Sequence, residues 1–327
     1  MEAGTKMRLV ALCLLLSPFG VEVTRGAETV RVAYASINPS VYCLIIAEKE
    51  GYFKEEGIRL ELLSIRGEIA IRTALAGEIY FFTNAGSALA GAVRGVPVKI
   101  LTIFQDKPAW DLIAQPEIKS IAQLRGSNIA VMSPEGSLAM VAREILRQNG
   151  IDPAKDVNLV TMGGDSIRFP ALQTKAIQAT LFNSSMSIRA QKNGFTKLAS
   201  AGDYAKIIQG GLAAATDKIK ENPKTIFPFI RASLKGIRFF LSKREPAIKH
   251  MMEALRMTDR DLANAIYDTE SKLVLRDGFS DDKSLQVMID EMKKTTKVKR
   301  DVKVADVFDF SVVKKANEEL LTSGWKP

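Results

Sequence analysis

The chain has 327 residues, 46% of them hydrophobic and 25% charged, with a formal charge of +9, one histidine and two cysteines. That length suits two domains of ordinary size, each with its own core. A single histidine cannot build a two-histidine zinc site, and the basic residues are interspersed rather than gathered, which argues against nucleic acid as a partner.

At the amino end, Lys6 and Arg8 precede the apolar run Leu9 to Leu16, followed by Ser17, Pro18, Gly20 and polar Glu22. This is the layout of a secretory signal peptide, and the run falls short of the roughly 20 residues of a membrane-spanning helix. Residues 1–27 are therefore read as a signal, cleaved after Gly26 or Ala27, which sends the mature protein to the periplasm or the extracellular space. Leu12 before Cys13 is a poor fit to a lipoprotein cleavage site. Once Cys13 leaves, Cys43 is alone and reads as a small buried residue on a helix.

From Thr29 onward, apolar runs of strand length alternate with stretches of helical period. Strands are expected over 30–34, 58–63, 79–83 and 98–104, and helices over 40–50, 68–76 and 85–94, with Gly51 stopping the first helix. After a break at 106–108 the pattern restarts. Strands are expected at 112–114, 128–132, 157–161, 177–182 and 197–199, and helices at 137–149, 167–174 and 185–193. Such alternation implies an α/β fold of parallel βαβ units. Beyond Gly210 and Gly211, apart from the apolar stretch 212–215, the remainder reads as helix over 223–243, 245–256, 259–270 and 281–294.

A helical tail of this kind cannot form an α/β domain alone, so it is expected to fold back on the first. This gives lobe 1 as 28–105 plus 211–327 and lobe 2 as 106–210, joined by two crossings near 105–110 and 207–212 that serve as a hinge. An internal echo fits two equivalent lobes. Ala74 and Leu75 end a helix, Ile79 opens a strand and Asn84 with Ser87 follows; Ala171 and Leu172, Ile177, and Asn183 with Ser184 repeat the order.

Ligands of open α/β sheets sit beyond the carboxyl ends of strands, where helix N-termini offer free N–H groups. The strand-end loops that meet this description hold Ser36 and Asn38, Asn84 and Ser87, Ser133 and Ser137, and Asn183 with Ser184 and Ser185. Each also suits an ordinary helix cap. Arg66 could supply a charge to an anionic solute or form an exposed ion pair, and Trp110 could stack on a ligand or pack between lobes. No catalytic residue, cofactor or metal site is assigned. His250 falls in the helical tail, away from the crevice that a Ser-His-Asp triad would need, and Gly91 with Gly95 reads as a packing spacing. The run Lys293, Lys294, Lys297, Lys299 and Arg300 lacks aromatics and reads as a solvated face.

Several stretches resemble the periplasmic solute-binding proteins of the nitrate, sulfonate and taurine type, related to the thiamine-pyrimidine-precursor synthase domain. They include Ala47, Gly51, Tyr52, Phe53 and Gly57; Thr83 to Leu89; Arg94 to Val98; and, further on, Leu124 to Gly126, Ile129 to Val131, Ala142 to Leu146 and Ala171 to Gln173. The resemblance implies a type II periplasmic binding protein fold, in which two α/β lobes joined by a two-crossing hinge close on a small-molecule solute. It also implies delivery by a monomer to an ABC permease in the membrane. The basic composition and the helix N-termini point to a small organic anion, such as a sulfonate or carboxylate, with a pyrimidine as the second choice. An enzyme of thiamine-pyrimidine or menaquinone synthesis on the same fold, or a degenerate binding or sensor protein, is the alternative. Where relatives carry Gly-x-Ile-Asp before the equivalent strands, this chain has Tyr80 and Gln178 in place of the two aspartates.

Overall fold

The computed structural model describes residues 27–35, 37–65, 67–132 and 136–327, so residues 1–26, which hold nearly all of the expected signal peptide, lie outside the described residues. The chain first lays down β1 (Glu28–Tyr34), α1 (Pro39–Lys49), α2 (Tyr52–Glu55), β2 (Ile58–Ser64), α3 (Gly67–Leu75), β3 (Phe81–Phe82), α4 (Ala85–Val93) and β4 (Val98–Gln105). It then crosses to a second sheet through β5 (Trp110–Ala114), β6 (Asn128–Val131), α5 (Ser137–Gln148), β7 (Asn158–Thr161), α6 (Asp165–Gln173), β8 (Ala179–Asn183), α7 (Ser184–Lys192) and β9 (Thr196–Ser200). It returns as β10 (Gly210–Ala215) and ends in α8 (Thr216–Glu221), α9 (Pro223–Ser242), α10 (Arg244–Leu255), α11 (Arg260–Glu270), α12 (Asp282–Thr296), α13 (Val304–Val307) and α14 (Ser311–Thr322).

Both sheets are five-stranded, with orders β2-β1-β3-β10-β4 and β7-β6-β8-β5-β9. The two orders are the same once β10 is matched with β5. The expectation of purely parallel units needs correction here, because β10 runs antiparallel to β3 and β4, and β5 antiparallel to β8 and β9. The reason is topological. Each of these strands enters its sheet from the other one, at the carboxyl ends of the parallel strands, and has to run back against them. The strand expected over 79–83 shrinks to Phe81–Phe82. Its ladder nonetheless continues on either side, with the Tyr80 N–H donating to the Arg31 carbonyl at 2.9 Å and the Thr83 N–H to the Ala33 carbonyl at 2.8 Å.

The echo read in the sequence is matched by equivalent backbone geometry. Gly77 (φ +79°) and Lys175 (φ +60°) hold the same left-handed turn two residues before Ile79 and Ile177. Tyr80 bonds β1 through Arg31, and Gln178 bonds β6 through Asn128, both at 2.9 Å. The substituted positions therefore lie at the amino ends of β3 and β8. There Tyr80 donates its hydroxyl to Glu28, and Gln178 accepts the Asn128 N–H at 2.9 Å. Both side chains hold strand ends together.

The first sheet and the terminal helices share one core. Phe229 of α9 stacks between Phe53 and Phe81, with ring centroids 4.8 and 4.4 Å away. A buried aromatic so placed contributes about 3–5 kcal/mol relative to alanine. Cys43 is fully buried on α1, where Gly236 lets α9 approach its carbonyl. The second sheet has its own core on each face, one around Leu124, Ile145 and Leu146 and the other around Phe169, Leu172 and Phe182. The two parts of the chain are linked through 106–109 and 201–209. These segments lie side by side, the Ile207 N–H donating to the Asp106 carbonyl and the Gln209 N–H to the Gln105 carbonyl, both at 3.0 Å. Among the described residues no helix is long and apolar enough to cross a membrane.

Candidate functional site

The helices α1, α4, α5 and α7 start at the carboxyl ends of β1, β3, β6 and β8 and point their N-termini into the space between the sheets. On one side of this space is a cleft of about 880 Å³. Gly86 and Leu89 of α4, Ser137 and Met140 of α5, the crossing segment 204–208, and Met288 and Met292 of α12 line it. Charged groups on the same walls are mostly paired, as in Glu144 with Arg147 at 3.6 Å and Lys206 with Ser284 at 2.8 Å.

Each sequence-chosen residue has a definite place, except that Ser36, Arg66 and Ser133 lie outside the described residues. Asn38 caps α1, its side-chain oxygen accepting from the Ser40 N–H at 3.0 Å beside Pro39, whose fixed φ suits the first turn. Asn84 stands at the cap position of α4 yet makes no capping bond, and its buried Oδ1 has no partner among the described residues. Ser87 is half-buried in the first turn of the same helix, and Ser137 is exposed at the first position of α5 on the cleft wall. Asn183 is committed twice. Its Oδ1 accepts from the Met186 N–H at 2.9 Å and its Nδ2 donates to Asp165 at 2.8 Å. Trp110 faces Asn183 across the β5–β8 ladder and packs half-buried on the second core.

Three further groups near these helix starts were not singled out from the sequence. Ser40 Oγ, Gln105 Nε2 and Glu270 Oε2 are buried and, like Asn84 Oδ1, lack a hydrogen-bond partner among the described residues. Buried polar atoms are ordinarily satisfied, so a group of unpartnered ones at strand ends marks a place for a ligand or water. Their neighbourhood is continuous. Gly210 pairs with Gln105, and a Cβ on Gly210 would stand only 1.9 Å from Ser40 Oγ, while one on Gly86 would stand 3.4 Å from the Ile208 carbonyl oxygen. Glu270 ends α11 where that helix meets α7. Burial pushes its carboxyl up to about 8, a shift the Ser184 hydroxyl partly offsets. The same carboxylate helps hold the Tyr42 hydroxyl and the Cys43 thiol above their ordinary ranges, in both cases after the larger effect of burial. A signal for Glu270 was present, because it falls at the next place in the buried stripe Ala263, Ile266, Tyr267 of α11.

The geometry suits reversible binding. Backbone N–H groups at helix starts favour an oxyanion, and the unpartnered acceptors and donors can fix a ligand's orientation. His250 bonds Glu50 at 2.8 Å, at the far end of α1. Eleven residues of helix place it about 16 Å from the helix start. Among the described residues no group of three or more His, Cys, Asp or Glu is placed to hold a metal.

Comparison with known proteins gives a consistent result. A Bacillus subtilis (strain 168) protein named as an aliphatic sulfonates-binding protein is 24% identical over 330 residues, covering 97% of each chain. The riboflavin-binding protein RibY of Chloroflexus aurantiacus is 25% identical over 211 residues, 62% of this chain and 59% of its own length. The solved structure of the periplasmic aliphatic sulphonate binding protein SsuA from Escherichia coli superposes with a TM-score of 0.70 at 15% identity, covering 85% of this chain and 96% of that one. The fold is thus that of the periplasmic binding proteins. With the family profile described as NMT1/THI5 like matching residues 38–247, the chain belongs to the NMT1/THI5-like family.

Proposed function

We propose that the protein is the extracytoplasmic solute-binding component of an ABC importer, holding a small organic molecule between two lobes and passing it to a membrane permease. The observation that supports this reading is the set of buried polar atoms without a partner among the described residues at Ser40, Asn84 and Gln105, near the starts of α1 and α4, together with a cleft that α4, α5, α12 and the crossing segment 204–208 line. The lobes are 28–105 plus 211–327 and 106–210, the segment 1–27 directs export, and the protein works as a monomer without catalytic turnover. The solute is anionic at one end, a sulfonate or carboxylate facing the N-termini of α1 and α4. Asn84, Ser87 and Ser137 meet it directly; Ser36, Arg66 and Ser133, which lie outside the described residues, are assigned to the site from the sequence alone. Asn38, Asn183 and Trp110 shape the walls, since the two asparagine side chains already serve as caps and Trp110 packs on a core.

Native mass spectrometry of gently purified protein, followed by a thermal-shift screen of sulfonates and carboxylates, tests the reading. A ligand at a hundred times its dissociation constant stabilises the folded state by roughly 2.7 kcal/mol, a shift easily measured. Co-purification of a small molecule, or a saturable shift that Asn84→Ala weakens, is expected. The reading is wrong if nothing co-purifies and no solute shifts the transition, or if the bound compound is chemically converted.

A further inference from the structure

We infer that the end of the first sheet opposite the cleft is a docking face for an anionic phospholipid membrane surface. The inference goes beyond the solute-binding reading and takes from it only the export of the chain. Along the sequence the basic residues are dispersed, yet the fold gathers three separated stretches at the amino ends of the parallel strands β3 and β4. One is the turn 94–99 between α4 and β4, the second is α8 with its flank, 216–224, and the third runs from the last turns of α12 into α13, 291–306. Hydrogen bonds tie them together. The Thr216 N–H donates to the Pro97 carbonyl at 2.9 Å, Arg300 donates to the Ala92 and Val93 carbonyls at 2.8 and 3.1 Å, and Lys99 donates to the Ala305 carbonyl.

These stretches hold eleven basic residues against five acidic ones, an excess of six where the whole chain has nine. The excess already counts Glu291, which pairs with Lys294 at 2.5 Å, and Asp306, which accepts the Lys303 N–H at 2.9 Å. Glu28, which borders the face, is bound to Tyr80 and Thr225. Arg94, Lys220, Lys224, Lys297 and Lys299 are exposed and make no ion pair among the described residues. Elsewhere the cations are matched, as Arg231 is with Glu56, Lys235 with Glu55 and Arg244 with Asp268. Four of the five unpaired cations are lysines, compact charges on flexible stems that suit a fluid array of headgroups, whereas one fixed phosphate favours the planar fork of arginine. The three stretches contain no aromatic residue on which a nucleic-acid base could stack, so attachment is by charge. Each basic residue close to an anionic membrane surface strengthens binding about fivefold. Because α1, α4 and the cleft lie at the carboxyl ends of the same strands, a chain resting on this face holds its cleft away from the lipid.

Co-sedimentation of the chain from residue 28 onward with phosphatidylcholine vesicles that contain or lack phosphatidylglycerol tests the inference. The parent protein should bind the anionic vesicles and not the neutral ones, and an ionic strength of about 1 M, where the Debye length is about 3 Å, should release it. A variant carrying Arg94→Gln, Lys220→Gln, Lys297→Gln and Lys299→Gln should bind about fiftyfold more weakly or worse. A control with the same change of charge at exposed lysines elsewhere, Lys54→Gln, Lys192→Gln, Lys272→Gln and Lys326→Gln, should stay within about fivefold of the parent. Failure of the parent to bind, equal binding of neutral vesicles, equal losses in the two variants, or displacement of the parent from the vesicles by a DNA duplex at equal phosphate concentration overturns the inference. None of these results touches solute capture, which is read separately from a co-purified molecule and its thermal shift.

Discussion

Gly236 lies on α9 where that helix passes α1, and replacing it with alanine puts a methyl group into a backbone. The added Cβ would stand 2.2 Å from the Cys43 carbonyl oxygen and 3.0 Å from the Ala47 Cβ. Non-bonded carbon needs roughly 3.5 Å, so the helices have to part by about 1 Å, and a gap of that size forfeits up to half of the dispersion energy along the contact. A carbonyl inside a helix cannot rotate out of the way. Overpacking of this kind costs about 1–3 kcal/mol, and alanine regains only about 1 kcal/mol of that through helix propensity. We expect a net loss of up to about 2 kcal/mol and a Tm lower by up to about 4 °C. Gly91→Ala in α4 is the matched control, since its Cβ would meet Ile71 and Val96 at 3.6 Å, an ordinary contact. It should be neutral or gain about 0.5–1 kcal/mol. Urea unfolding and thermal melts followed by circular dichroism compare the two variants. If Gly236→Ala proves as stable as Gly91→Ala, the close approach of α1 and α9 does not restrict that position and the reasoning fails.

Glu270 sets a pH dependence whose sign is fixed. Its carboxyl is raised to about 8 in the folded state from a free value near 4.3, so the stability linked to its proton is complete below about pH 4 and is lost as pH rises through 8. That loss amounts to roughly 4–5 kcal/mol, and Glu270→Gln should be the more stable protein at pH 9 while matching the parent at pH 4 in urea titrations. Identical profiles would mean that the carboxyl is not titrating there. Lys175 holds φ +60° and its ion pair with Glu117 at 3.0 Å is exposed, so Lys175→Gly should raise stability by about 0.5–1 kcal/mol by thermal melt. Arg231 grips buried Glu56 with two nitrogens, at 2.8 and 2.6 Å, and Glu319 with a third at 2.5 Å. Arg231→Ala should cost about 2–3 kcal/mol, and Arg231→Lys should recover less than half of it because lysine cannot reproduce the fork.

Most elements were legible because their apolar residues recur with a period, and α1, α5 and β4 lie within a residue or so of their expected limits. β10 was less so. Its residues Gly210, Gly211, Leu212 and the three alanines do not alternate, since all six are buried. Smallness there answers to neighbours remote in sequence, such as Thr102, whose carbonyl oxygen would stand 2.2 Å from a Cβ on Gly211. The short α8 and α13, and α14 near the carboxyl end, were not read at all. At the site, capping residues announced themselves by type, which is why Asn38, Asn84 and Asn183 could be named. Only the structure separates Asn84, whose oxygen has no partner among the described residues, from the other two, whose oxygens are spent on α1 and α7. Glu270 is 86 residues beyond Ser184 in the chain, and nothing local joins them. Tyr80 and Gln178, which stand where relatives carry aspartates, lie at the amino ends of β3 and β8, opposite the ends from which α4 and α7 start.

The place of β10 between β3 and β4 has a consequence for how the molecule comes into being. All strands of the second sheet lie within residues 110–200, a continuous stretch that can close as soon as it has emerged. The first sheet cannot. Until residues 210–215 arrive, β3 and β4 have no strand between them, and the apolar face of α1 waits still longer for α9. A chain made or threaded amino end first therefore carries its first hundred residues as open edges and uncovered surface while the later half is already folded. Its period of greatest risk falls before residue 242 is free, and a partner that shields the early segment has to stay until then.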